Sequence, residues 1–460
     1  MSKTTAFALV LLALMLPASA WAQDSTATRA VTDTTAPVIV EKNFKRAALE
    51  VTGANVGIWL FCRYIREGGT NTGFRIGIQS WKENLLNGFE WDDNQFSTNQ
   101  LAHPYHGSMY FCSARANGYD YWESIPFAFG GSIMWEYFGE VHHASINDWV
   151  STSVGGTAVG EMLHRFSNII WDQQATGSER VWREIGGLAV NPMGGINRLI
   201  VGDMSRVGPN PPDWNKFPLT SALRVGARVT GEGTLSNNDT TRSFFRVRVV
   251  HGDPTGSVVR TPYDAFSFDM QINPQDASIV GRAKVVGVLH SWEADRGEHS
   301  VSYLAFVHNY DYVDSWAYKV GAQSLGPSYL YRHRTANWSL GTGVNLNWIM
   351  LGGTTSDYAS YTGRTYDYGP GVGAKYNVLL RHRTRSSLAA EGDFYWLRIM
   401  NGTPASHLVA ENRVTLSFPV YGSFNVGSEY SLYHAERHYR DFPDVSKRAP
   451  QLTIYLSLVR

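Results

Sequence analysis

The sequence predicts a mainly β protein: a C-terminal antiparallel outer-membrane β-barrel of about twelve strands, with an N-terminal helical motif domain packed in or against it. Three observations predict this. The C-terminal half alternates apolar and polar residues through strand after strand. The chain opens on an export leader, and no later run reaches the ~18 uninterrupted apolar residues of a spanning helix. Between leader and alternating half, residues 51 to about 200 take up helical spacing instead.

The leader comes first. Lys3 gives a positive start, Ala6 to Leu16 is an apolar run, and Ala20-Trp21-Ala22 offers a small-x-small cleavage site. Residues 1–22 therefore read as a signal peptide and 23–42 as a flexible leader rich in Thr, Ala, Asp and Val. An exported chain without a spanning helix still sits in a membrane if it closes a barrel, because only helices and closed barrels satisfy every backbone group in lipid. Equal numbers of basic and acidic residues, 40 each, give no general pull toward nucleic acid. The 13% aromatic share suits interfacial girdles. Cys62 and Cys112 read either as a disulfide or as two separate buried thiols.

Residues 43–210 read as the helical motif domain. Tyr105 to Ala116, Phe127 to Phe138 and Val154 to Ile170 each fit a short helix. Gly156 and Gly160 lie four apart, which would let another backbone approach closely, and Met162, Phe166 and Ile170 form an apolar stripe. All three helices are too short and polar to cross a membrane alone. They can pack inside the barrel, cap its mouth or stand apart.

This segment carries a resemblance. WDDNQFSTNQLAHPYHGSMYF (91–111), WEYFGE (135–140), SINDW (145–149) and GEMLHR (160–165) are similar to the motifs of an uncharacterised bacterial family, domain of unknown function 3943, over roughly residues 70–200. The resemblance implies an exported, outer-membrane-associated protein. It implies no reaction.

Residues 211–460 read as the barrel. Trp338, Leu340, Val344, Leu346, Trp348 and Met350 fall on every second position, interrupted at Thr342, with small or polar residues between until Ile349. Arg224, Arg228, Arg246, Arg248, Asp269, Lys375, Glu391, Asp393 and Arg413 sit on the opposite faces of their strands. A Lys or Arg facing mid-bilayer lipid costs about 2–4 kcal/mol, so the charges should line the lumen, with Arg and Asp/Glu rows facing each other. Strands are expected near 220–231, 240–251, 262–273, 279–292, 299–311, 315–324, 328–350 (one or two), 366–382, 386–400, 406–420, 422–434 and 450–459. Turns are expected at 252–256 and 401–404, and longer external loops near 352–365 and 435–448. Leu452, Ile454, Leu456 and Leu458 resemble the C-terminal signal read by barrel-insertion machinery, although the chain ends in Arg460 and not in an aromatic residue. Outer-membrane lipid and that machinery are the expected partners.

A candidate site lies in the helical segment. His103 and His106 are three apart, as are Glu161 and His164, and Glu-x-x-His is used by carboxylate-bridged metal sites in bundles. Glu136 and Glu140 are four apart. His103, His106, Glu140, Asp148, Glu161, His164 and Arg165 are therefore expected to cluster. Asp148 can orient a histidine, and Ser145 is a nucleophile without a nucleophile-elbow pattern. The cluster can be a structural polar network, a proton-handling or catalytic site, or a metal site whose ion is unknown. Asn147-Asp148 and Asn99-Gln100 can cap helices, and Arg115 and Arg165 can pair with Glu140 and Glu161. Val154 to Gly160 is Gly-rich but lacks a P-loop Lys-Ser/Thr, so no cofactor is assigned. The basic clusters 332–334 and 381–383 read as solvated strand ends or as contacts to lipid phosphates.

Three roles compete: a barrel with a helical plug or cap in a structural or transport role, an envelope hydrolase acting on lipid or lipopolysaccharide through the His/Glu cluster, and a periplasm-facing interaction module anchored by the barrel.

Overall fold

A computed structural model describes residues 41–66, 70, 72–211, 214, 216–236, 239–315, 317–358 and 364–460. The expected signal peptide, and the leader up to residue 40, lie outside the described residues. The described chain forms two compact units. The helical unit takes the described residues up to Phe89, Tyr105–Ala144 and Val159–Lys216. The barrel unit takes Glu90–Pro104, Ser145–Ala158 and Phe217–Arg460. Two stretches from the expected helical domain thus group with the barrel.

Twelve strands close the barrel: β1 Leu219–Thr230, β2 Thr241–His251, β3 Phe266–Ile272, β4 Val280–Arg296, β5 Ser300–Asp314, β6 Lys319–Arg334, β7 Trp338–Thr355, β8 Tyr366–His382, β9 Ser387–Arg398, β10 Ala405–Tyr421, β11 Phe424–Tyr439 and β12 Val445–Val459. Each strand pairs antiparallel with the next, and β12 returns to β1 with Leu456 opposite Val225. Closure leaves no unpaired edge, which is what lipid demands of a sheet.

Alternation sorts the two faces as expected. Leu346 and Trp348 are 59% and 61% exposed on the outer face, while neighbouring Asn347 and Ile349 are buried. Val372, Trp396, Val414, Leu416, Ile454 and Leu456 continue this exposed apolar belt around the wall. Such a belt over a charged interior is the signature of a membrane-spanning barrel.

The boundaries differ in places. The break expected after residue 324 falls at 335–337, since β6 continues through Ser328 to Arg334. The segment 435–448 is not a loop: β11 and β12 run through it, leaving a turn at 440–444. β7 likewise takes residues 352–355, and the expected loop begins at Ser356. Polar side chains misled the reading there, because the outer face is polar at those strand ends. β3 is shorter than expected. Residues 252–265, which start on a turn at Gly252 (φ 71°), fold inward instead, and Val259 packs on Val288, Ala305 and Val307 of the lumen face.

The helices are α1 Phe44–Leu60, α2 Ile78–Asn87, α3 His103–Ala116, α4 Tyr121–Phe138, α5 Ile146–Val150, α6 Gly156–Ile170, α7 Gly177–Val190 and α8 Pro192–Val201. α3, α4 and α6 answer to the three expected helices. α1, α2, α5, α7 and α8 are further helices of the segment that showed helical spacing, beyond the three expected there. Asn43 caps α1 by accepting from Arg46 N, and Asp120 with Glu123 forms a capping box on α4. Asn191 caps α8, Pro192 opens it, and Gly202 (φ 80°) ends it. Two caps fall elsewhere than expected. Ser145, not Asn147-Asp148, caps α5, and Asn99-Gln100 lie inside a π-helical turn, Thr98–Ala102, that leads into α3.

Candidate functional site

The barrel unit carries two polar systems, one on its outer wall and one in its lumen. The first is built by the segments 90–104 and 145–158. Along β5, Asn309 and Asp311 face the lumen, so Tyr310 and Tyr312 point outward. Register places Gln323, Gly321, Gly353, Tyr368 and Tyr366 on that same outer face. Phe96 stacks on Tyr312 at 5.6 Å and meets the Tyr366 ring edge-on at 5.3 Å. Trp91 lies 5.7 Å from the Tyr368 ring. Tyr310 Oη donates to the Gln100 carbonyl (2.7 Å), and Tyr366 Oη donates to the Asn94 carbonyl (2.5 Å). The wall has glycine at 321 because a Cβ there would stand 2.3 Å from Gln100 Oε1.

His103 and Asp148 meet within this seam. His103 Nδ1 lies 3.0 Å from Thr152 Oγ1, and its Nε2 lies 3.6 Å from Asp148 Oδ2; both residues are buried. Asp148 Oδ1 accepts from Asn147 Nδ2 (2.9 Å), and Asn147 Oδ1 accepts from Asp92 N (2.9 Å). The Ser145 hydroxyl accepts from Asp148 N and donates to Asn147 Oδ1 (3.0 Å), so it is engaged as a helix cap. This bonding fits a seam that fastens two segments together.

The helical unit holds the other five candidates. Glu161 is fully buried and accepts from Arg115 Nε (2.8 Å) and Arg165 Nε (2.8 Å). Both arginines therefore share Glu161; of the two expected pairs, only Arg165 with Glu161 forms in the way foreseen. His106 Nε2 lies 2.5 Å from Tyr110 Oη, which also bonds Asn55, and its ring stands edge-on to Trp135. The Glu140 carbonyl accepts from Asn84 Nδ2 (3.1 Å). His164 Nε2 is 3.1 Å from Asn168 Nδ2. Burial, then the Arg115 and Arg165 charges, hold that imidazole well below its ordinary pKa. Cys62 and Cys112 are separate buried thiols, and burial pushes the Cys112 thiol up. Gly160 admits the Phe111 ring (2.9 Å from a built Cβ) where another backbone was expected.

The lumen is the second system. Arg282 of β4 pairs with Glu411 of β10, six strands away around the ring. Lys284 reaches Asp393 (2.7 Å), Lys375 reaches Asp311 (2.6 Å), Arg248 reaches Glu391 (2.5 Å) and Arg246 reaches Glu429 (3.2 Å), all between non-adjacent strands. The facing rows of Arg and Asp/Glu are as the alternation foretold. Toward the long-loop end the lumen is filled by an apolar layer, with Val313, Tyr318, Val320 and Leu397 against Val409, Tyr433 and Ala449. The Tyr318 and Tyr433 rings lie 5.3 Å apart. Between the charged layer and the short-turn end is a cavity of about 400 Å³, bordered by Arg248, Lys284, Lys375, Arg413, Glu391, Asp393 and Asn345. Arg413 is buried, Nη2 binds Glu391 (3.0 Å), and Nη1 has no hydrogen-bond partner. Sequence reading missed the apolar layer because its members are scattered over strands from β5 to β12 and meet only when the barrel closes.

The basic strand ends divide. Arg332 pairs with Asp253 (2.5 Å) and Arg383 lies in a turn.

Residues 88–193 match the family model described as Domain of unknown function (DUF3943). No curated protein matches the chain. Solved structures with similarity include the NanC porin (11% identity, half of this chain and 98% of that one, TM-score 0.29). An outer membrane channel from Pseudomonas putida F1 follows at 13% identity, covering 53% of this chain and 95% of that one, with TM-score 0.29. The outer membrane channel DcaP of Acinetobacter baumannii is 8% identical over 52% of this chain and 96% of its own, with TM-score 0.23.

Proposed function

We propose that this chain, with the uncharacterised domain at 88–193 and a belted twelve-strand barrel, is an outer-membrane protein of the cell envelope with a structural or transport role whose lumen is shut at rest. The observation that carries this is the cross-braced interior. Opposite walls touch through Arg282 and Glu411, and an apolar layer closes the barrel beyond them. The cavity below sets the charged Arg248, Lys284, Lys375, Arg413, Glu391 and Asp393 among apolar residues such as Val286, Val307 and Leu330. Its four basic side chains, Arg248, Lys284, Lys375 and Arg413, suit one carboxylate or phosphate group of a small solute.

The seven polar residues of the motif act as structural fasteners in this reading. Saturation of Glu161 by two arginines and the bonding of His103 to Thr152 support it. The hydrolase reading is not supported. Barrel-insertion machinery would recognise the last strand, whose Leu452, Ile454 and Leu456 face lipid. Zero net charge gives no general pull toward nucleic acid, so none is expected as a partner.

Planar bilayers test the proposal. The folded protein should give no steady conductance, and truncating Tyr318 and Tyr433 to Ala together should open a path. A wild-type chain that conducts steadily would overturn it.

A further inference from the structure

The helix pair α7–α8 wears its polarity inside out. From Val181 to Ile200 the exposed residues are Val181, Trp182, Ile185, Leu188, Ile196, Leu199 and Ile200, all large and apolar. The charged residues of the same span point the other way. Arg183 and Glu184 are buried, and Arg198 pairs with Glu184 at 2.6 Å. Arg180, just before the span, is buried and binds Glu184 (2.9 Å) and the Asp172 carbonyl (2.6 Å). Small residues also face inward: a Cβ on Gly187 would stand 2.0 Å from Trp171 Nε1, and one on Gly195 would stand 2.5 Å from Leu188.

A helix pair surrounded by water does the reverse, with apolar residues inside and charges out. Burying paired charges and small residues while exposing Leu, Ile, Val and Trp is how helices meet lipid. We propose that the α7–α8 face rests in the hydrocarbon of a bilayer. Lipid is the partner assured to this chain, because its own barrel spans a membrane. A protein partner is less well matched, since all seven exposed side chains of this span are apolar and the polar exposed residues, Ser178, Glu179, Ser205 and Arg206, stand only at its ends. No described helix is long and apolar enough to cross alone. The pair therefore lies in the membrane as amphipathic helices do.

Site-directed nitroxides test this on the full chain folded in phospholipid vesicles. In a Cys62→Ser, Cys112→Ser background, labels are placed through Ile185→Cys and Leu199→Cys. A control label goes through Glu179→Cys, whose native side chain is half exposed. Collision rates with oxygen, which partitions into lipid, are compared with those of a water-soluble nickel chelate. The oxygen-to-nickel ratio should be several-fold higher at 185 and 199 than at 179. Equal ratios would place the face in water and overturn the proposal. Low rates for both reagents would mean that protein covers it, a second copy or the barrel unit, and would overturn it too. If the double-serine background does not fold, quenching by brominated phospholipid replaces the labels. Trp182→Phe should then remove a quenchable part of the fluorescence, and an unchanged quenched fraction would count against lipid contact.

Discussion

At the scale of single residues, face decides cost. Leu346 points to lipid and its neighbour Asn345 borders the lumen cavity. Leu346→Arg should cost about 2–4 kcal/mol of folding in lipid near the midplane, and Asn345→Arg far less. Heat-modified gel mobility and denaturant titration in vesicles read the difference. Equal tolerance would mean the alternation does not face a bilayer. His164 makes a pH prediction. Its folded pKa lies well below the ordinary 6.5, so the unfolded chain takes up the proton first. Stability from this group is present above about pH 6.5 and lost as pH falls through and below it, by at most ~1.4 kcal/mol per pH unit. Far-UV melts from about pH 7.5 to about pH 5 should show the loss, and His164→Gln should flatten it. A variant with the wild-type slope would refute the assignment.

At the scale of elements, the seam on the outer wall rests on few anchors. Phe96 is buried between Tyr312 and Tyr366, and Gln100 meets Tyr310, Gln323 and Tyr368. Phe96→Ala should cost about 3–5 kcal/mol locally and release 90–104 for proteolysis. The barrel itself should keep its heat-modifiable band, because the strand ladder does not depend on this ring. If nicking in 90–104 does not rise, the segment is held by something else. Element boundaries were the least legible part of the sequence. Strand ends at 435–439 and 445–448 look like loop because their outward residues, Glu436, His438 and Arg448, lie beyond the apolar belt.

At the scale of the whole molecule, the lumen network is a set of paired buried charges. Such pairs contribute little net stability, yet removing one partner leaves a bare charge at a cost of about 3–5 kcal/mol. Asp393→Asn, which leaves Lys284 with the longer contact to Glu411 (3.7 Å), should therefore destabilise the barrel. Changing Asp393 and Lys284 together to Asn and Met should recover much of the loss, as measured by refolding in vesicles. Full additivity of the two changes would show that the pair is not coupled. Arg413→Gln should leave folding closer to wild type than Asp393→Asn and abolish any capture of a small carboxylate in the cavity, readable by calorimetry with the solute. Retained binding would move the solute elsewhere.

The sequence by itself determined the barrel: its strand number, the faces of its strands and the charged character of its lumen. Period-two alternation is local, and lipid on one side with paired charges on the other punishes any slip of register. It also determined that a recognisable motif lies before the barrel. What only the tertiary structure decided is where that motif's groups go. Glu161 drew Arg115 in addition to its helix neighbour Arg165, and His103 met Asp148, because those choices rest on contacts between residues more than forty positions apart. The inverted polarity of α7–α8 was hidden for the same kind of reason. A row of Val181, Ile185 and Leu188 reads as a core-facing stripe until the packing shows Arg180, Arg183 and Glu184 inside and the stripe outside. Periodicity tells that a helix has two faces, and only its neighbours and its solvent tell which one is buried.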